Sequence, residues 1–320
     1  MSTFNVFILF SGFCTNFSVI LLFVRNASLR TPFTIYLVNL LLANLMCSIA
    51  YYPLELLNGL YAVWWAGSAV CTLYQYTLYI AQSAMCNAHA LIALNRLWAV
   101  TFPVSYRHHH KKSAAVLVCV AMWIFVHVCL LPGLVLDALY YRLPEETNGC
   151  MVNTDGMRVY WIIIQFVSYN TPELCVIIAF FAICYKIIRR HQHKVRPSVA
   201  VARRQSFVVR SVNVESTNTG TSPSGGVEQR IHNRFLCWKM QNRKTEHGFL
   251  MLTLTTLTIF ICYTPANVYY TWWAISEETI NSLYLPAAVL YEMTAVLDPI
   301  WFVLALPEFR QAFRKRFAGS

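Results

Sequence analysis

Among the ionisable residues that lie inside or at the ends of long apolar segments of this 320-residue sequence are Glu55, Arg96, Glu292 and Asp298. Charged side chains in such segments are costly and mark functional sites by default. The patterns typical of enzymes, such as HExxH, a Walker loop or a nucleophile elbow, do not occur in the sequence. The sequence therefore predicts a binding or switching role for these residues, and no enzyme.

A run of three histidines, His108 to His110, could suggest a metal site. Adjacent residues on a helix point in different directions, so the three side chains cannot all face one ion. We therefore favour a solvated loop here, and we expect neither a metal nor another cofactor.

The elements that carry these residues are long and apolar. The chain is 57% hydrophobic and only 12% charged, whereas soluble domains carry about 25% charged residues. A run of roughly 20 apolar residues crosses a bilayer as a helix, and these runs do not alternate as barrel strands do. The sequence thus predicts an all-α membrane protein, a seven-transmembrane helix bundle, with spans over about 4–24, 32–58, 70–101, 113–137, 159–187, 248–273 and 282–304.

Lys and Arg residues are concentrated in alternate loops. Of the 25 in the chain, Arg142 and Arg158 are the two that fall in loops after even-numbered spans. Cytoplasmic loops carry the excess of basic residues, so we expect a plasma-membrane protein with its amino terminus outside and its carboxyl terminus in the cytoplasm. The net charge of +11 then faces anionic lipid, and membrane lipid rather than nucleic acid is the expected partner.

Three segments complete the organisation of the chain. Residues 188–247 form a third cytoplasmic loop within the seven-transmembrane domain of 1–305, and their polar part, 211–229, is expected to be disordered. Residues 306–320 are expected to form a short cytoplasmic amphipathic helix and tail, because phenylalanines recur every fourth residue among basic side chains; a frayed basic tail is the alternative. Only three residues precede the first run, so span one would act as its own insertion signal unless the chain is truncated there.

Motifs along the seven runs resemble those of the rhodopsin-like, or class A, G-protein-coupled receptors. They are Asn16 in span one, Asn44 in span two, Trp64 before Cys71, Asn95-Arg96-Leu97 at the end of span three, Trp123 in span four, Pro172 in span five, Cys262-Tyr263-Thr264-Pro265 in span six, and Asp298-Pro299-Ile300-Trp301-Phe302 in span seven. Each motif alone is weak evidence, but together and in order they cover nearly the whole chain. The resemblance implies a receptor that binds an extracellular ligand of unknown identity and activates a heterotrimeric G protein. Arrestin and kinases are further expected partners, and Arg203-Arg204-Gln205-Ser206 resembles a site for a basophilic kinase.

The resemblance also implies where the ligand binds. It places a pocket in the outer half of the bundle, lined by Glu55, Leu78, Tyr79, Gln82, Tyr263, Asn267, Tyr270 and Glu292. Leu78 stands where aminergic relatives carry their amine-binding aspartate, and Glu292 where opsins carry the retinal-binding lysine. We therefore expect neither an ordinary monoamine mode nor a Schiff-base pigment. Glu55 and Glu292 would attract a cationic peptide or amine, or would share one proton.

A disulfide and a set of switch residues follow from the same resemblance. Cys71 and Cys150 lie in or beside outer loops and are expected to form a bridge on the oxidising side. The switch residues are Asn95, Arg96, Leu97, Asn44, Asp298, Pro299 and Phe302. Relative to the family, Asn44 and Asp298 exchange an amide and a carboxylate, so we expect a hydrated polar network in place of a sodium site.

Altered residues around Arg96 leave the signalling role open. The resemblance implies that Arg96 is freed on activation and contacts the G protein; the alternative is an anchor that reaches the interface. Asn95 replaces the acid that usually restrains the arginine, so we expect elevated basal signalling. A non-coupling scavenger or scaffold receptor is a second possibility, because Leu97, Tyr263 and Phe302 also depart from the family pattern. A transporter or channel would need a continuous polar path, for which the intramembrane acids are too few.

Overall fold

The computed structural model describes residues 2–61, 63–195, 249–276, 278 and 280–317. Within these ranges the chain is helical, without a strand, and its long helices form the predicted seven-transmembrane bundle. Span one is Ser2–Arg25, span two Pro32–Leu60, span three Ser68–Thr101, span four Lys112–Tyr141, span five Arg158–Ile164 continued by Gln165–Asn170 and Thr171–Val195, span six Phe249–Ser276, and span seven Asn281–Ala305. The polar stretch 211–229, Ser206 and most of the 188–247 loop lie outside the described residues.

Six of the helices in the described ranges are long and apolar enough to cross a membrane. The other, span three, has 34 residues and is long enough, but polar side chains such as Gln75, Asn87 and His89 interrupt its apolar sequence. Its position explains the difference, because it packs against spans two, four and five in the middle of the bundle. Polar residues there face protein rather than lipid. The chain is a multi-pass membrane protein.

Three prolines are each preceded by a widened, π-helical turn. Pro53 follows the turn Cys47–Tyr51, Pro172 follows Gln165–Asn170, and Pro265 follows Ile259–Tyr263. A proline has no N–H to donate, and its ring collides with the carbonyl four residues earlier. The preceding turn therefore widens, and the helix changes direction there. Spans two, five and six each contain one such turn.

Polar side chains join spans that apolar surface alone would not hold together in lipid. The Asn16 amide donates to the carbonyl oxygen of Ala295 at 2.7 Å and so joins spans one and seven. The Trp123 indole donates to the side-chain oxygen of Asn39 at 2.9 Å and joins spans four and two. Asn16 and Trp123 belong to the motifs that carry the family resemblance, and both have a structural role.

The loop between spans four and five is tied to the bundle at several points. Cys71 and Cys150 form the expected disulfide, and Gly149, directly before Cys150, has a φ of 70° that a residue with a side chain rarely adopts. Asp137, fully buried at the end of span four, accepts hydrogen bonds from the Arg142 guanidinium and from the backbone N–H of Asn153. We call this end of the bundle the disulfide end, and the opposite end the Arg96 end.

A final helix, Pro307–Phe317, follows span seven at the Arg96 end. It packs against spans one and seven. Phe309 is only 1% exposed and supplies a buried contact of this helix. The first turn of this helix is therefore packed against the bundle.

Candidate ligand-binding and coupling sites

A cavity of about 500 Å³ lies at the disulfide end, between spans three, five and six and the loop after span four. Aromatic and amide side chains make up much of its wall. The predicted pocket residues Leu78, Tyr79, Gln82, Asn267 and Tyr270 all line it. The structure thus brings five of the eight predicted ligand residues to one cavity, whose size suits a small molecule or the end of a peptide.

Tyrosine hydroxyls in this wall donate to the backbone of span three. The Tyr169 hydroxyl donates to the carbonyl oxygen of Tyr79 at 3.1 Å, and the Tyr291 hydroxyl to that of Gln82 at 3.5 Å. The rings of Tyr79 and Trp161 pack with their centroids 5.1 Å apart. These contacts give the cavity a rigid aromatic wall. The hydroxyl groups of Tyr169 and Tyr291 donate to the protein itself and not to a ligand.

Glu55 and Glu292 are not among the residues that line this cavity. The Glu55 carboxylate accepts a hydrogen bond from the Tyr74 hydroxyl, and Glu292 is 7% exposed in span seven. The Tyr52 hydroxyl reaches the backbone oxygen of Glu292 at 3.4 Å. The two acids therefore belong to a tyrosine-rich cluster between spans two, three and seven, beside the cavity rather than in its wall.

Tyr263, the last of the eight, lies deeper in the bundle next to a buried polar centre. The His89 ring nitrogen Nε2 is 3.3 Å from Oδ2 of Asp298, and both side chains are 1% exposed. Asn44 donates to the same oxygen at 3.1 Å, and the Tyr263 ring packs edge-on against His89 with centroids 5.5 Å apart. Asn44 and Asp298 are thus in contact, and His89 links them to span six.

His89 was missed by our sequence reasoning, although a signal was present. It is an ionisable residue in an apolar run, seven residues before Arg96 and hence nearly two turns away on the same face of span three. Its partner Asp298 comes from a distant part of the sequence, so spacing alone does not reveal the pair.

At the Arg96 end, Asn95 has partners other than the arginine beside it. Its amide donates to Nε2 of His110 at 3.0 Å, and its oxygen accepts from the Tyr106 hydroxyl at 3.2 Å. The Arg96 guanidinium lies 3.3 Å from the centroid of the Phe33 ring, and its Nε has no hydrogen-bond partner within the described ranges. In this part of the structure, Arg96 is held by an aromatic ring rather than by an acid.

His110 and Tyr106 lie outside the spans, and their surroundings fix their protonation. Burial lowers the pKa of His110 from its usual value of 6.5, and the charge of Arg96 lowers it further. Burial raises the pKa of Tyr106 above 10.0, although Arg96 and the bond to Asn95 act in the opposite direction. At neutral pH the imidazole is therefore neutral and accepts from Asn95, while the phenol keeps its proton and donates.

The expectation of a solvated histidine loop holds for only part of the run. His108 and His109 are exposed, but His110 is half-buried and its ring stacks on Tyr106 with centroids 4.2 Å apart. Tyr36 of span two stacks on its other side at 5.9 Å. These contacts of His110 could not be predicted from the sequence, because Tyr36, Asn95 and Tyr106 come from three different helices. Among the described residues, no group of His, Cys, Asp and Glu could hold a metal ion.

The remaining switch residues are placed as follows. Phe302 is 1% exposed in the core, Pro299 is inside the helix of span seven, and Leu97 packs half-buried against the core.

Lys186 and Arg190 of span five donate to the last carbonyls of span three, those of Thr101 and Val100, at 2.9 Å each. Span five thus caps the end of span three at the Arg96 end.

Glu173, beside Pro172, is a third residue whose role the sequence did not reveal. Its two carboxylate oxygens accept hydrogen bonds from span six, one from the Thr264 hydroxyl and the other from the Asn267 amide. These donors lie on either side of Pro265. The contact therefore joins spans five and six next to the π-helical turns that precede Pro172 and Pro265.

Comparison with known proteins agrees with this architecture. The family described as 7 transmembrane receptor (rhodopsin family) matches residues 15–302. The chain is similar to a cholecystokinin receptor of Xenopus laevis, with 22% identity over 95% of this chain and 73% of the relative. It is also similar to opsin Rh6 of Drosophila melanogaster, with 24% identity over 94% of this chain and 75% of the relative. A third relative, the G-protein coupled receptor moody of Drosophila melanogaster, is 19% identical over 96% of this chain, which spans about half (49%) of moody's length.

Proposed function

Since the chain belongs to the rhodopsin family of seven-transmembrane receptors, we propose that it binds an extracellular ligand in the outer cavity and activates a heterotrimeric G protein at the Arg96 end. The observation that carries this proposal is the course of span three. Leu78 and Gln82 line the cavity, His89 occupies the buried polar centre, and Arg96 lies at the opposite end. At about 1.5 Å per residue, one helix joins the two sites over roughly 27 Å.

The proposed orientation places the disulfide end outside the cell. A disulfide forms and persists in an oxidising compartment, which suits the bridge from Cys71 to Cys150. The excess of basic residues in the alternate loops favours the Arg96 end as the cytoplasmic one. The ligand would therefore enter from the exterior, and the coupling face would meet cytoplasmic partners.

A short helix at the Arg96 end offers a surface for such a partner. In the helix Pro103–His109, Val104 is 83% exposed, and Phe102 directly before the helix is 64% exposed. Exposed apolar side chains outside a span, next to basic residues, are typical of docking surfaces. We assign this surface and Arg96 to the G protein, with arrestin and kinases as later partners of the same end.

For the ligand, the surroundings of the cavity favour a cationic peptide or amine. Tyrosine and tryptophan rings in the wall can hold a cation over their faces, and Glu55 and Glu292 lie in the neighbouring cluster. Leu78 lines the cavity and supplies no charge. The counter-charge would therefore come from Glu55 or Glu292, or from Asp155, which lines the cavity together with Arg158, and not from span three.

Signalling would follow from a shift between two arrangements of the bundle. A ligand that binds more tightly to the open arrangement would move span six, bent at Pro265, away from span three. The Asn95 side chain is bonded to His110 and Tyr106 and supplies no charge to restrain Arg96. We therefore propose that ligand-free signalling is elevated.

Recruitment of engineered mini-G proteins in cells tests this function. We expect recruitment by at least one mini-G class when cationic peptides and amines are screened, and a weaker response from Glu292→Gln at equal surface expression. An unchanged response in that variant would remove the counter-ion from the proposal.

The altered Leu97 and Phe302 favour a non-coupling scaffold as the second candidate, and uptake of ligand without recruitment of any mini-G class would support it.

A further inference from the structure

The Asn267 side chain is both part of the cavity wall and part of the contact between spans five and six. It is 6% exposed and lines the cavity. Its amide nitrogen donates to Oε2 of Glu173, whereas Oε1 of the same carboxylate accepts from the Thr264 hydroxyl. Both oxygens of Glu173 are thus engaged by donors from one turn of span six.

This contact fixes which way the Asn267 amide points. A side-chain amide has a donor NH₂ and an acceptor oxygen, and its orientation is settled by its neighbours. An ionised carboxylate can only accept, so the NH₂ group must face Glu173. Reversing the amide would place two acceptor oxygens against each other in a buried setting, which is unfavourable.

The carbonyl oxygen of Asn267 is then left for the cavity. Among the residues that the structure describes, none donates a hydrogen bond to this oxygen. A second amide in the wall behaves in the same way, since the nitrogen of Gln165 donates to Asn170 at 3.2 Å and to Thr271 at 3.5 Å. In both amides the nitrogen is engaged within the protein, and the carbonyl oxygen is the atom left for a ligand.

We propose that Glu173, which is not part of the cavity wall, is a positioning residue that turns the Asn267 carbonyl oxygen towards the cavity and so selects ligands with a hydrogen-bond donor at that point. The donor is an ammonium, amide N–H or hydroxyl group. A ligand that presents only an acceptor there meets a second acceptor and is rejected. This inference rests on the proposed function, because it takes the cavity to be the ligand site.

A pair of small probes tests the inference on the full chain in lipid nanodiscs. para-Fluorophenol carries a donor, whereas para-fluoroanisole has the same ring with the hydrogen replaced by a methyl group, and fluorine NMR reports the binding of each. Empty nanodiscs define the signal that comes from lipid, and Asn267→Leu, which lacks the acceptor oxygen, should bind the two probes about equally. We expect the wild type to bind the phenol about fivefold more tightly than the anisole, as one net hydrogen bond provides.

Glu173→Gln should reduce this preference to about twofold or less. The new amide can accept from Asn267 or donate to it, so Asn267 is no longer held in one orientation. Thr264→Val is the matched control, because it removes the other bond to Glu173 and leaves Asn267 oriented, and it should keep the preference. Should Glu173→Gln not fold, Glu173→Asp replaces it, since the shorter side chain withdraws the carboxylate from Asn267.

The outcomes separate the inference from the proposed function. An equal preference in wild type and in the Glu173 variants would overturn the role of Glu173 and leave the cavity as a binding site. A wild type that prefers the anisole, or shows no preference, would overturn the orientation itself. If neither probe gives a saturable signal above that of empty nanodiscs, both the inference and the proposed ligand site are wrong.

Discussion

Asp137→Asn is expected to destabilise the disulfide end measurably. Asp137 is fully buried; its Oδ2 accepts a hydrogen bond from Nε of Arg142 at 3.0 Å and lies 2.9 Å from Nη2 as an ion pair. Its Oδ1 accepts from the backbone N–H of Asn153 at 2.8 Å. An asparagine keeps one oxygen but turns an NH₂ group towards one of these donors, and it leaves the guanidinium of Arg142 without its buried counter-charge.

The expected magnitude follows from these contacts. Breaking a buried ion pair by removing one partner costs about 3–5 kcal/mol. Arg142 keeps Thr72 as an acceptor at 2.8 Å and Glu145 at 3.8 Å, which favours the lower limit, about 3 kcal/mol. At roughly 2 °C per kcal/mol for a large chain, the apparent melting temperature should fall by about 6 °C. Size-exclusion chromatography of detergent-solubilised protein after heating measures this change.

Two control variants make the test decisive. Glu145→Gln removes a carboxylate that is more distant and more exposed than Asp137, and it should lower the melting temperature by about 2 °C at most. Asp137→Asn combined with Arg142→Met should lose less than the sum of the single variants, because no unpaired charge is left buried. A melting temperature of Asp137→Asn equal to that of Glu145→Gln would refute this reasoning.

Two further predictions concern histidines. The pKa of His110 is lower in the folded protein than in the unfolded chain, so thermal stability should be constant above the unfolded value of 6.5 and should decrease as the pH falls from there through the lowered pKa; His110→Gln should flatten this profile, and an unchanged profile would contradict the assignment. His89→Leu should destabilise the protein by about 1–3 kcal/mol, because the buried Asp298 carboxylate loses one of two polar contacts and keeps only the Asn44 amide. Adding Asp298→Asn should restore most of that loss in a melting experiment, and a further decrease would show that the pair is not the cause.

The spans and the disulfide could be predicted because they depend on properties that neighbouring residues share. Hydropathy, the bias of basic residues and the order of motifs indicated seven helices, including the polar span three, and the structure confirms the bundle. The bridge between Cys71 and Cys150 is likewise confirmed. The π-helical turns before Pro53, Pro172 and Pro265 could not be predicted, because one extra residue in a turn does not change the apolar pattern.

The sequence could not reveal which side chains from separate spans contact one another. The polarity of Glu173 was evident, but only the fold brings it to Asn267 and Thr264. His110 was expected in solvent, yet Tyr36 and Asn95 form a slot for it from two different helices. In each case the residue type indicated that burying the side chain costs free energy. The structure shows which contacts offset that cost.

The most direct test of the signalling function is nucleotide exchange by purified heterotrimers on the receptor in nanodiscs, without ligand. We expect the wild type to accelerate exchange for at least one G protein. Asn95→Asp should lower the ligand-free rate about fivefold, since a restored ion pair with Arg96 would favour the closed arrangement by about 1 kcal/mol. Arg96→Ala should abolish the acceleration. No acceleration of any G-protein class by intact, monodisperse receptor, or equal rates for wild type and Asn95→Asp, would contradict elevated ligand-free coupling through Arg96.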